Sequence, residues 1–145
     1  MKPGHAKKEY EHLLYQANVI PSGFAMLFLV FNTWQTIFTL NMVDVSAAGI
    51  RIMEIILLNI MLSFLVFIAA SEIKRYSTLW SYTALAIGVF QCLRYFLIPD
   101  ALHGVRNLEL YIVLPLEAAG LTLIIASLWS LVKCGRYRMA KKELS

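Results

Sequence analysis

Charge, cysteine and histidine are what this chain has least of. Of its 145 residues 15% are charged and 59% hydrophobic, whereas a soluble globular domain is about 25% charged and about 45–50% apolar. An apolar excess of this size is more than one small soluble core takes up, and so apolar a composition also excludes a disordered chain. Two cysteines, Cys92 in an apolar run and Cys134 in a basic stretch, exclude a disulfide scaffold. Without a CxxC or a Cys/His cluster they indicate neither a redox dithiol nor a zinc site. The histidines His5, His12 and His103 lie outside the long apolar runs, which excludes a bis-His haem within a bundle. A P-loop, a GxSxG and an HExxH are all missing. What is left is a small integral membrane protein with no cofactor, no metal and no catalytic centre implied.

Four apolar runs are present, at about 24–43, 52–73, 79–98 and 108–132. Each reaches the length of about 20 residues that a helix needs to cross about 30 Å of hydrocarbon. Their connections are short, Asp44 to Arg51, Lys74 to Thr78 and Pro99 to Asn107, too short for a soluble domain. The expected fold is therefore all-α: a polytopic bundle of four transmembrane helices in one domain spanning residues 1–145. The fourth run contains Pro115, which predicts tilt or a kink. Before the first run, Tyr10, Leu13, Leu14 and Ala17 recur at helical spacing, with Lys7, Lys8, Glu11 and His12 off that stripe. This pattern predicts an amphipathic interfacial helix within residues 1–22, set apart by Pro21-Ser22-Gly23. Glu9 and Glu11 among the N-terminal lysines, and the lack of a small-x-small cleavage site, argue against a cleaved signal.

The net charge of +4 is distributed for a lipid surface rather than for nucleic acid. Lys2, Lys7, Lys8, Lys74, Arg75, Lys133, Arg136, Arg138, Lys141 and Lys142 fall on one side of the expected bundle. Arg51 and Arg106 fall on the other, with Arg94 near them. This asymmetry puts both termini, including a basic tail at 133–145, in the cytoplasm, and suits a prokaryotic cytoplasmic membrane.

Polar residues inside the runs are the candidate site, because hydrocarbon satisfies none of them. Asn32, Gln35, Thr36 and Thr39 form one stripe along the first helix, either bonded to other helices or lining a wet cavity. The second run carries Glu54, one turn after Arg51, then Asn59 and Ser63. The third carries Gln91, Cys92 and Arg94. Arg94 lies about 7 Å inside Pro99, close enough to snorkel outward or to pair inward. Glu117, roughly 13 Å along the fourth helix from Leu108, is the deepest carboxylate. It is either part of a ligand or ion site or half of a structural pair with Arg94. Ala118, Thr122, Ala126 and Ser130 repeat every four residues as a close-packing helix face. Aromatic–Gln pairs at Trp34-Gln35 and Phe90-Gln91, followed by Glu54 and Glu117, suggest two tandem hairpins that would gather Gln35, Glu54, Gln91 and Glu117.

Two functions fit these features. One is a non-catalytic accessory or assembly subunit of a larger membrane complex, its partners being the bilayer and other membrane subunits or further copies of itself. The other is a small oligomeric carrier or ion-conducting protein. Its ligand-binding residues would be Glu117, Arg94, Glu54, Gln91, Gln35 and Asn32, in the outer half of the bilayer.

Overall fold

The computed structural model describes residues 4, 18–42, 45–97 and 106–144. Four long helices carry them: α1 (Val19–Met42), α2 (Val45–Lys74), α3 (Thr78–Leu97) and α4 (Arg106–Leu144). Three contain a stretch long and apolar enough to cross a membrane, Val19–Asn41, Met53–Lys74 and Val113–Met139. The expectation of four such helices is corrected at α3, which is not among those long and apolar enough to cross. Its 20 residues include Ser81, Gln91 and Arg94, and these three side chains are buried. They lower the mean hydropathy of the helix, and the bundle, not the solvent, receives them.

The helix ends follow local chemistry. α1 begins at Val19 and carries Pro21-Ser22-Gly23 in its first turn. Proline is tolerated there because the amide it lacks has no partner inside the helix. The Ser22 amide donates to the Asn18 carbonyl (3.1 Å) and closes that turn. Of the interfacial segment expected within residues 1–22, residues 5–17 lie outside the described residues, as does most of the Pro99–Asn107 connection; the break expected at Pro21-Ser22-Gly23 is corrected, since these residues belong to α1. α4 runs on without a break through the basic residues 133–144, so that segment extends the bundle as helix.

Between α2 and α3 the chain reverses in a Schellman turn. The Tyr76 amide donates to the Ile73 carbonyl (3.0 Å) and the Ser77 amide to that of Glu72 (3.2 Å). The turn requires a left-handed residue, ordinarily glycine; here it is Tyr76, at φ 64°. Its ring stacks on that of Tyr137 in α4, with centroids 4.9 Å apart, and Arg138 donates to Thr78 Oγ1 at 3.1 Å. The left-handed tyrosine thus ties the hairpin end to the α4 extension.

The helices form a ring in which α1 packs on α2 and α4, and α3 packs on α4 and less extensively on α2. Neighbours are antiparallel. Asn18 reaches Ile73 and Ser22 reaches Ala70 at one end of the α1–α2 pair, while Asn32 reaches Asn59 further along. The ring has two storeys. Toward the α2–α3 turn it is mainly apolar, built on Phe28, Val66, Ile73, Ala84 and Leu123, all fully buried, with Asn18 and the Ser81–Ser130 pair as buried polar groups. Toward the other end it is polar.

α3 and α4 cross closely at Gly88 and Gly120. A Cβ on Gly120 would clash with Cys92 Sγ and stand 3.0 Å from the Gly88 carbonyl oxygen, while one on Gly135 would meet nothing within 4 Å. Gly120→Ala is therefore expected to destabilise the bundle by about 1–3 kcal/mol through overpacking. Gly135→Ala should stabilise it by up to about 1 kcal/mol through helix propensity. Reversible unfolding in detergent measures both, and equal effects would contradict the close crossing.

Burial, reinforced by the nearby Cys134 and Tyr137, pushes the Tyr76 hydroxyl up to about 12. An acid whose folded value is raised stays protonated longer in the fold than in the unfolded chain. Its contribution is complete below about pH 10 and is lost as pH climbs toward about 12. Ultraviolet titration of tyrosinate should show one late step that Tyr76→Phe removes.

Candidate functional site

The polar storey is assembled by residues from α1, α2 and α3. Helical spacing puts Asn32, Gln35 and Thr39 on one side of α1, and that side is buried. Asn59 and Ser63, one turn apart on α2, face it. From α3 come Gln91 and Arg94. Asn32, Asn59, Gln91 and Arg94 are 1%, 2%, 0% and 4% exposed, so four strongly polar side chains are withdrawn from any solvent.

Asn59 is the hub. Its side-chain amide donates to Gln35 Oε1 (2.7 Å) and to Thr36 Oγ1 (2.8 Å). Its Oδ1 accepts from the Arg94 guanidinium, and its backbone carbonyl accepts from Asn32 Nδ2 (3.0 Å). Asn32 Nδ2 also donates to Ser63 Oγ at 2.8 Å, and Asn32 Oδ1 accepts from Gln91 Nε2 at 3.3 Å, across the ring. Thr36 and Thr39 return their hydroxyl protons to the carbonyls of Asn32 and Gln35, each at 2.8 Å. Gln35 Nε2 donates to Thr39 Oγ1 at 3.3 Å. Both hydrogens and the oxygen of the Asn59 amide are therefore used, and one side chain of α2 bonds both α1 and α3. Among the described residues Gln91 Oε1, a buried acceptor, has no hydrogen-bond partner.

The carboxylates sit elsewhere. Glu54 is exposed on α2 and does not join the cluster, so the four residues expected to gather about a pseudo-twofold axis are not gathered. Glu117 is half-buried and lies beside the Cys92 thiol, whose sulfur packs at Gly120. The anticipated Arg94–Glu117 staple is not among the ion pairs of the described residues; Arg94 bonds Asn59, and Glu117 lies beside Cys92. Cys92 and Arg94 are two residues apart and so point to different sides of α3. The face expected on α4 is placed as follows: Ala126 and Ser130 are fully buried, Ala118 and Thr122 half-buried. Ser130 meets Ser81 of α3 at 2.9 Å.

Sequence reasoning noted Asn59 and Ser63 but left them out of the ligand-binding set, and it passed over Gly88 and Gly120. The signal for the first pair was an i, i+4 polar repeat inside the second run. The glycines have a signal only once the crossing of α3 and α4 is known. Chemically the cluster offers amides, hydroxyls and one guanidinium. Such a set fixes geometry by hydrogen bonding; a divalent ion prefers carboxylate, imidazole or thiolate donors. No family model, curated relative or solved structure matches the chain.

Removing Asn32 breaks three side-chain contacts, each worth about 0.6–2 kcal/mol between membrane helices. Asn32→Leu should therefore cost about 2–4 kcal/mol. Ser63→Ala, which removes one contact, should cost about 1 kcal/mol. Unfolding equilibria in bicelles separate the two, and equal losses would mean that Asn32 is not shared among helices.

Proposed function

We propose that this chain is an integral membrane protein whose four helices all cross the bilayer with both termini in the cytoplasm, and that it serves as a non-catalytic accessory or assembly subunit. The observation that carries this reading is the closed bonding around Asn59: the buried polar side chains of three helices are engaged largely with one another. An interior spent on its own helices acts as a scaffold, and recognition is then left to the lateral surface. That surface is apolar, with Val30, Leu57, Phe64, Leu121 and Leu128 all exposed.

Connectivity supports a crossing α3. It packs antiparallel against the apolar stretch of α4, from Ser81–Ser130 at one end to Gly88–Gly120 further along. With its polar residues turned inward, α3 needs no high average hydropathy to sit in lipid. The positions of Lys74, Arg75, Lys133, Arg136, Arg138, Lys141 and Lys142 support a cytoplasmic α2–α3 turn and C-terminus. A prokaryotic cytoplasmic membrane is the setting proposed.

Extraction at native abundance in a mild detergent tests the role. A larger membrane partner should be recovered at fixed stoichiometry, and a folded, monodisperse lone protein would contradict it. A second reading, a small carrier, is favoured by the half-buried Glu117 and the unpartnered Gln91 Oε1. Under that reading Glu117→Gln abolishes transport in vesicles while leaving folding and expression intact.

A further inference from the structure

Thr33 belongs to the apolar stretch of α1, eight residues before its end at Asn41, or about 12 Å along the helix. Unlike Asn32 beside it, Thr33 is exposed. A threonine in a helix ordinarily returns its hydroxyl proton to a carbonyl of the preceding turn. Thr36, Thr39, Thr83 and Thr122 all do so. Thr33 does not: among the described residues no hydrogen bond involves its side chain. If α1 spans the bilayer, as the reading above has it, acyl chains offer this hydroxyl neither donor nor acceptor. Apart from that backbone carbonyl, the partner open to a threonine so placed in a membrane helix is another helix.

Thr33 lies at the centre of a seam. Gly23, Val30 and Ile37 repeat every seven residues, and Met26, Thr33 and Leu40 repeat every seven, offset by three. Met26, Val30, Ile37 and Leu40 are 39%, 59%, 52% and 41% exposed, and Gly23 is exposed too. This heptad spacing is the contact line of a two-stranded left-handed coil. A Cβ on Gly23 would meet nothing within 4 Å of its own chain, so a neighbouring helix can approach closely there. The seam contains no charge, so two copies meet without like-charge repulsion. Copies inserted with the same topology hold Thr33 at the same depth. A hydroxyl both donates and accepts, so two of them facing across a two-fold axis bond to each other.

We infer that the Gly23–Leu40 face of α1 is a homodimer interface in the membrane, with Thr33 of two copies hydrogen-bonded across a two-fold axis.

The test is oxidative cross-linking in native membranes washed with alkaline carbonate, using the full chain with its own cysteines as baseline. Val30→Cys and Ile37→Cys should each give at least fivefold more disulfide-linked dimer than Leu27→Cys. Leu27 is also exposed, but one step on from Met26 it is turned about 100° around the helix. Adding Thr33→Val to Val30→Cys should weaken association about three- to tenfold, whereas Thr33→Ser should preserve it. Valine has the shape of threonine and faces lipid here, so the fold has no reason to fail; an unchanged melting profile checks this. Equal cross-linking at Leu27→Cys, no effect of Thr33→Val, or cross-links only to a different protein would overturn the dimer. Release of the chain by the carbonate wash would instead overturn the membrane reading on which the dimer rests.

Discussion

A buried guanidinium has to be met by acceptors, and in this bundle a neutral amide is one of them. Arg94 is charged at any physiological pH and 4% exposed, and Asn59 Oδ1 accepts from it. An amide can do this and keep working, because its nitrogen remains free to donate. Asn59 uses that nitrogen for Gln35 and Thr36, so the contact on α3 is coupled through α2 to the stripe on α1. The rest of the polar storey follows from that coupling: Asn32 bonds the Asn59 carbonyl and Ser63, and Gln91 bonds Asn32. A carboxylate in place of Asn59 would offer Arg94 a stronger acceptor but nothing to the hydroxyl and amide oxygens of α1.

Two packing devices at other levels hold the ring in the shape this cluster needs. Gly88 and Gly120 let α3 and α4 approach until the carbonyl of one lies 3.0 Å from where the Cβ of the other would be. At the turn end, Tyr76 accepts a left-handed backbone that glycine would adopt more cheaply. In return its ring stacks on Tyr137. The α2–α3 hairpin is thereby anchored to α4, and the depth of Gln91 and Arg94 relative to α1 follows from that anchor. Lys133 over the Trp129 ring, 5.4 Å from its centroid, adds a cation–π contact near the same end.

Much of this was legible in the residues. Run lengths gave the helices, and the Asn32–Thr39 stripe gave the buried side of α1, because helical periodicity is a local property. What was not legible depended on partners. α3 was expected to count as a span like its neighbours, yet it is not apolar enough for that, because the bundle takes in its Ser81, Gln91 and Arg94. Glu54 was expected beside Glu117. It is five residues from the buried Asn59, about 140° around α2, and is exposed. Arg94 and Glu117 matched in depth, but depth leaves the rotation of a helix undefined, and rotation turned them to different neighbours. Thr33 shows the converse. One step from Asn32 along the chain, it lies about 100° around the helix and belongs to a different surface.

The central claim is that Arg94 and Asn59 act as one unit within the bundle. A double-mutant cycle in bicelles, with Arg94→Met, Asn59→Leu and the two combined, tests it most directly. Each single replacement should destabilise by about 3 kcal/mol, since it strands a buried polar partner. The double replacement should cost less than their sum, with a coupling of about 1–3 kcal/mol. Losses that add to within about 0.5 kcal/mol would contradict the account.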